Sequence, residues 1–220
     1  MKILTFSDTH NQHDVLSKWD WMEPADVAIF GGDMSLRGTE EEVKAFFDWF
    51  WRLDQYKHKI IIAGNHDFIF ERNPKLMANT VLPENVHYLN DSGVEIDGVK
   101  FWGSPIQPWF HNWAFNRFRG PEIKKHWDLI PLDTDVLITH GPPYKILDEV
   151  LYESIHNPEM NVGCKDLSEK IKELKQLKAN IFGHIHEAYG AVEKDGVKYF
   201  NACFLDRKYR PTNKPHYFEI

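Results

Sequence analysis

The sequence predicts an α/β fold in which two mixed β-sheets pack on one another and helices flank them. Three observations carry this. Five short apolar runs have strand length and β-branched content: Ile3 to Phe6, Val27 to Phe30, Ile60 to Ala63, Val136 to Thr139 and Asn180 to Phe182. Helical patterns lie between some of them, which indicates βαβ units and a largely parallel sheet. Two further segments, Val94 to Trp102 and Ala191 to Phe200, turn around an Asp-Gly pair and read as hairpins, so antiparallel strands join the parallel ones.

The helices announce themselves by their caps and periods. Thr39 followed by Glu40, Glu41 and Glu42 has the form of a capping box, and Val43, Ala45, Phe46, Phe47, Trp49 and Phe50 give that helix an apolar face. Asp166 to Lys178 reads as a second helix, with Leu167, Ile171, Leu174 and Leu177 on one face and lysines opposite. The stretch from Phe101 to Gly120 holds Phe101, Trp102, Trp109, Phe110, Trp113, Phe115 and Phe118 with no clean period of 2 or 3.6, and is expected to be a long irregular loop. Such loops are often functional, although large aromatics usually pack inside.

Composition narrows the function classes. A chain of 220 residues without a linker-like stretch fits one domain, residues 1–220. A net charge of -7 speaks against an extended nucleic-acid surface, which needs a basic stripe to neutralise phosphates. It leaves room for a small anionic substrate, because bound cations reverse the local field. The two cysteines, Cys164 and Cys203, have no metal or redox spacing, so a reducing compartment is expected. The opening residues lack the pattern of a secretory signal, and the apolar runs are too short to span a bilayer. A cytoplasmic protein without membrane partners is the expectation; the oligomeric state stays open.

The polar motifs follow the strands. Ile3 to Phe6 runs into Ser7-Asp8-Thr9-His10, Val27 to Phe30 into Gly31-Gly32-Asp33, and Ile60 to Ala63 into Gly64-Asn65-His66-Asp67. Val136 to Thr139 runs into His140-Gly141, and Asn180 to Phe182 into Gly183-His184-Ile185-His186. Ligands of open α/β sheets bind outside the carboxyl ends of the strands, so these clusters can converge. Residues i and i+2 of an extended chain share a side, which lets Asp8 and His10 chelate one ion and turns His184 and His186 to the same site. Carboxylate, imidazole and amide oxygen together suit Mn, Fe, Zn or Co better than an all-oxygen cage. Arg37 follows closely on Asp33, and a guanidinium binds phosphate oxygens in a bidentate manner. His13, His58, His87, His126, His156 and His216 lie outside the clusters and read as core or surface residues.

Taken together, Asp8-x-His10, Gly32-Asp33, Gly64-Asn65-His66-Asp67, His140 and Gly183-His184-Ile185-His186 resemble the five blocks of the calcineurin-like metallophosphoesterase superfamily. The resemblance covers nearly the whole chain. Longer segments are similar to the metallophosphoesterase-domain-containing proteins related to class III cyclic-nucleotide phosphodiesterases. They are Gly103-Ser104-Pro105, Pro108-Trp109-Phe110, Thr139-His140-Gly141-Pro142-Pro143, Val162-Gly163-Cys164, His186-Glu187-Ala188-Tyr189-Gly190 and Pro211-Thr212-Asn213-Lys214-Pro215.

The resemblance implies an αββα sandwich and two divalent metal ions, Mn foremost, with Fe, Zn, Co or Mg as alternatives. It implies that Asp8, His10 and His186 hold the first ion, that Asn65, His140 and His184 hold the second, and that Asp33 bridges them. His66 would contact the phosphate and assist the leaving group, which makes Asp33 and His66 the catalytic pair. The implied reaction is hydrolysis of small or nucleotide phosphate esters, phosphodiesters foremost, by in-line attack of a hydroxide held by the metals. Asn65, His66 and Arg37 are the candidate phosphate contacts, with Trp109 and His111 as candidate stacking partners of a nucleobase. Two alternatives stand beside this: a nuclease of the same superfamily, which needs a basic groove, and a low-turnover nucleotide-binding regulator, against which His66 and His184 speak. The stretch Gly32 to Gly38 also resembles the protein serine/threonine phosphatase block, but Leu36 stands where that family has an acidic partner for the catalytic histidine.

Overall fold

The strands form two large sheets in a computed structural model that describes residues 1–73, 75, 80–151 and 160–220. The first sheet contains β1 (Lys2–Phe6), β2 (Ala25–Phe30), β3 (Tyr56–Ile61), β4 (Val86–Tyr88) and, at its edge, β13 (His216–Glu219), in the order β13-β1-β2-β3-β4. The second contains β5 (Ser92–Ile96), β6 (Val99–Ser104), β9 (Val136–Thr139), β10 (Ala179–Phe182), β11 (Gly190–Lys194) and β12 (Val197–Asn201), in the order β11-β12-β10-β9-β6-β5. Each sheet is parallel at its centre and antiparallel towards an edge, so both are mixed as the sequence predicts.

Alternation along the strands builds the sandwich. Ile3, Val27, Ile29, Ile60 and Ile62 of the first sheet and its continuation share one buried cluster with Phe101, Val136, Ile138, Ala179 and Ile181 of the second. The intervening side chains, among them Leu4, Phe6, Ala28, Phe30, Leu137 and Phe182, join the cluster that contains the helical residues Phe46, Phe50, Trp127 and Leu167. The Phe30 and Phe46 rings lie 4.3 Å apart, and Phe6 meets Phe50 at 5.9 Å. Strands covered on both faces read as unbroken apolar runs, which explains why those five stood out.

Local chemistry fixes the element ends. Helix Glu40–Phe50 has its capping box closed, with Thr39 and Glu42 each binding the other's backbone N–H. Both Asp-Gly pairs form tight turns with two left-handed residues, Asp97 (φ 50) with Gly98 (φ 79) and Asp195 (φ 53) with Gly196 (φ 79). That is the type I′ geometry whose twist suits a two-residue hairpin. Cys164 caps helix Lys165–Glu173 by accepting the Leu167 N–H, and both cysteines are free and buried.

Three expectations need correction. The third strand starts at Tyr56 instead of Ile60, because Tyr56 and Lys59 are buried despite their polar atoms; the Lys59 ammonium bends back to the Tyr56 carbonyl. The helix expected to reach Lys178 ends at Glu173, yet Leu174 and Leu177 stay buried because reverse turns carry them back to the core. The aromatic stretch after β6 is not irregular throughout, since β7 (Gln107–Pro108) and β8 (Asn116–Arg117) pair in parallel within it. Phe101 and Phe115 are core, whereas Trp109, Phe110 and Phe118 are at least half exposed.

Of the histidines read as structural, His13 packs on Phe46 and Trp49, His58 stacks with His87, His126 pairs with Asp91, and His216 bonds the Asn201 carbonyl. His156 lies outside the described residues. Among the described residues, no helix is long and apolar enough to cross a membrane.

Candidate metal centre

The five motif loops leave the strands at one end of the sandwich and meet there. Phe6 pairs with Phe30 and Phe30 with Ile61, so three loops of the first sheet start level with one another. A bridge between Ser7 and Cys203 ties the β1 end to the chain beyond β12, and the Gly183 N–H donates to the His140 carbonyl at 2.9 Å. Two glycines allow the closest approaches. A Cβ on Gly183 would lie 2.0 Å from Asp8 Oδ2, and one on Gly64 would lie 2.2 Å from Asp33 Oδ1, so neither position admits a side chain without displacing a carboxylate.

Asp33 occupies the middle of the group. Its Oδ2 lies 3.4 Å from His140 Nε2 and 3.7 Å from His10 Nε2. On the His10 side, His10 Nε2 is 3.4 Å from His186 Nε2, and His186 Nε2 is 3.5 Å from Asp8 Oδ1. On the other side, His140 Nε2 is 2.9 Å from Asn65 Oδ1, and the His184 ring stands edge-on to His140 at 5.1 Å. All seven residues proposed as ligands from the sequence therefore lie in one group. Asp8, Asp33, His10 and His140 are buried, and their carboxylate oxygens and ring nitrogens fall into sets able to hold a metal ion.

The backbone reaches this arrangement differently from the expected extended spacing. Asp8 (φ 53), His10 (φ 39), Asn11 (φ 67), Asp33 (φ 59) and His184 (φ 69) are all left-handed, and His186 opens a short 3₁₀ turn. The pairs Asp8/His10 and His184/His186 converge because the chain turns sharply, not because alternate residues share a face. Each such residue costs roughly 1–3 kcal/mol, which persists where surrounding contacts enforce it, as at functional sites.

Those contacts are specific. His10 Nδ1–H donates to the Ser35 carbonyl at 3.0 Å, His140 Nδ1–H to the Gly31 carbonyl at 3.0 Å, and His186 Nδ1–H to the Leu205 carbonyl at 2.9 Å. Each of these bonds sets the tautomer and turns Nε2 towards the centre, the usual arrangement behind a metal-ligating imidazole. Asp8 is held by the Ser7 hydroxyl, the His184 N–H at 3.1 Å and the Cys203 thiol at 3.3 Å. Asp67 accepts from the backbone N–H groups of Asp33, Met34, Ser35 and Gly64 and from the Ser35 hydroxyl, so one buried carboxylate shapes both the Asp33 and the Asn65 loops.

The charge pattern fits a cation. Burial alone would raise the pKa of Asp33, yet His140, His66 and His10 hold its carboxyl well below the ordinary range. Burial pushes His10 down to about 4 and, with the neighbouring His140, His184 down to about 3, leaving uncharged rings with a nitrogen lone pair to offer. Burial also opposes charge on His140, but Asp33 outweighs it and carries that group up to about 9. The nitrogen and oxygen donors gathered here, imidazole, carboxylate and amide, suit a divalent transition metal.

His66 and the substrate-side residues surround this group. The His66 N–H donates to Asp33 Oδ1 at 2.8 Å; the ring lies on Trp113 at 4.2 Å and meets His10 edge-on at 4.5 Å. Arg37 is exposed, and its guanidinium has no partner among the described residues. Trp109 stacks on Phe118 at 5.9 Å, and His111 packs on Phe110; Phe110, not either candidate, makes the ring contact with His184 at 6.4 Å. Sequence reasoning missed Asp67, Trp113, Phe110 and Tyr209. Asp67 was visible as the last letter of its motif, and Phe110 and Trp113 as members of the aromatic stretch; Tyr209 carries no local signal, because the fold alone brings it to the centre.

The fold and this donor set define a class: an α/β sandwich whose strand ends gather side chains able to hold metal ions. The family model described as calcineurin-like phosphoesterase matches residues 1–188, and the chain belongs to that family of metal-dependent phosphoesterases. Metallophosphoesterase domain-containing protein 1 of Homo sapiens is 36% identical over 97% of this chain and 69% of its own length, as is its Mus musculus counterpart. A UPF0046 protein of Caenorhabditis elegans is 32% identical over all of this chain and 75% of its own length.

Proposed function

We propose that the chain is one catalytic domain that hydrolyses phosphodiesters, nucleotide esters foremost, with two divalent ions, Mn foremost, held around Asp33. The observation that carries this is the position of Asp33 Oδ2 between His140 Nε2 and His10 Nε2. In this reading Asp8, His10 and His186 hold one ion, Asn65, His140 and His184 the other, and Asp33 belongs to both. Two such ions, when bound, clamp a phosphoryl group and acidify a coordinated water. The chain's own residues do the rest. Asn65 and Arg37 orient the phosphate, and the Arg37 guanidinium, without a partner among the described residues, suits this. With His66 Nδ1 committed to a carbonyl, only Nε2 exchanges a proton with the departing oxygen. Two buried, unpaired cysteines support a reducing, cytoplasmic setting.

The exposed rings of Trp109 and Phe110, with His111 packed on Phe110, support recognition of a nucleobase. Stacking is worth roughly 1–3 kcal/mol per base. The Mn²⁺-loaded protein should therefore hydrolyse a nucleotide phosphodiester with a higher kcat/KM than an aliphatic diester of equal charge. Trp109→Ala, His111→Ala and Phe110→Ala together should narrow that gap and spare the aliphatic ester. No gap in the wild type, or a gap that survives the triple variant, would remove the nucleotide preference from the reading.

A further inference from the structure

Tyr209 is the one aromatic residue that packs on two of the proposed ligand imidazoles at once among the described residues. Its ring centroid lies 4.8 Å from that of His10 and 5.1 Å from that of His186, the second pair nearly parallel at 29°. The residue nevertheless keeps 41% of its surface exposed, and its phenolic oxygen has no hydrogen-bond partner among the described residues. A tyrosine that merely filled the core would be covered.

The chain goes to some length to hold the ring there. Tyr209 has φ 58, an unfavourable backbone state for a bulky side chain. Its N–H donates to the Asp206 carbonyl at 2.8 Å, and its carbonyl accepts from Gln12 Nε2 at 3.0 Å, next to the Asp8–His10 loop. Asp206 closes the turn: its carboxylate accepts from the Arg210 guanidinium at 2.8 and 2.6 Å and from the Lys208 and Arg210 N–H groups. The turn begins at Leu205, whose carbonyl orients His186, so one segment aims the imidazole and sets the tyrosine over it. Strain held by so many contacts beside a reactive centre points to a role in its chemistry.

We propose that Tyr209 contacts the substrate: its ring walls the cleft on the His10–His186 side, and its phenolic O–H donates a hydrogen bond to a non-bridging phosphoryl oxygen. The inference rests on the phosphoesterase reading. It assigns a phosphate donor on the side of the centre opposite the aromatic platform around Phe110, which contacts His184.

Three measurements on wild type, Tyr209→Phe and Tyr209→Ala separate the possibilities: binding of Mn²⁺ alone, binding of inorganic phosphate to the Mn²⁺-loaded protein, and hydrolysis of bis-p-nitrophenyl phosphate. A hydrogen bond to a charged acceptor is typically worth enough to change affinity about tenfold. Tyr209→Phe keeps the ring, so it should bind Mn²⁺ like wild type, bind phosphate about tenfold more weakly, and raise KM more than it lowers kcat. Phosphate binding and KM like wild type in Tyr209→Phe would overturn the proposal. So would a loss of Mn²⁺ affinity in Tyr209→Phe large enough to account for the phosphate effect, since the residue would then only brace the imidazoles. Wild-type protein that binds Mn²⁺ and phosphate without hydrolysing the ester would sink the phosphoesterase reading while leaving the Tyr209 contact judged by phosphate binding alone.

Discussion

His66 Nδ1 lies 2.8 Å from the backbone carbonyl oxygen of Leu36. At this position the protein-phosphatase block places an acidic side chain, and here the main chain supplies the acceptor instead. A carbonyl orients the ring and sets its tautomer without adding a charge behind it. The side chain of Leu36, 42% exposed, is dispensable for that bond. Leu36→Ala should therefore leave kcat within about twofold of wild type, because the acceptor is unchanged. His66→Ala should lower kcat by roughly 10²–10⁴ and keep the bound metal. Steady-state kinetics with elemental analysis of both proteins checks this; comparable metal loss in His66→Ala and Asp33→Ala would assign His66 to the ion instead of the leaving group.

Asp67 is expected to matter for stability before activity. It is fully buried and accepts five hydrogen bonds that shape the Asp33 and Asn65 loops. Burial and the charge of Asp33 push its carboxyl up to about 6, against the pull of those donors. Asp67→Asn points an amide donor at groups that are themselves donors, leaving buried N–H groups unsatisfied at about 1–3 kcal/mol each. A drop of about 2–4 kcal/mol in unfolding free energy is the expected outcome in urea titrations of the metal-free variant. A variant as stable as wild type would show that the two loops hold their shape without it.

Acid should destabilise the protein through histidines outside the proposed ligand set. Burial lowers His13 and His216 below the ordinary 6.5. Their folded-state values are below the unfolded one, so the unfolded chain takes up protons first as pH falls. The stability from keeping them neutral is complete above about pH 6.5 and is lost progressively below it. His13 packs on Phe46 and Trp49, and its Nδ1 has no hydrogen-bond partner among the described residues. His13→Phe should flatten the fall in melting temperature between about pH 7 and pH 5. An identical pH slope in wild type and variant would place the acid sensitivity elsewhere.

Much of this site could be read from the chain because strand, glycine and ligand are adjacent in sequence. Val27 to Phe30 leads directly into Gly31-Gly32-Asp33, and the capping box at Thr39 and the Asp-Gly turns are equally local signals. The backbone shape at Asp8, His10 and His184 was not readable, because their left-handed states are imposed by contacts such as His10 Nδ1 to Ser35 and the His184 N–H to Asp8. β3 hid its start because Lys59 interrupts the apolar pattern, although its ammonium folds back onto the strand. Tyr209 and Asp8 are 201 positions apart in a chain of 220. The pairing of the β1 end with the chain after β12, together with the bonds from His186 to Leu205 and from Gln12 to Tyr209, brings the tyrosine's segment to the centre.

In the proposed centre one carboxylate, Asp33, serves two ions at once. Electron paramagnetic resonance of the Mn²⁺-loaded protein, on samples whose metal content is known from elemental analysis, tests it most directly. Two bound ions per chain are expected, with an exchange-coupled spectrum that disappears in Asp33→Ala along with hydrolysis. One ion per chain with an isolated six-line signal, or a coupled spectrum that survives Asp33→Ala, would contradict it.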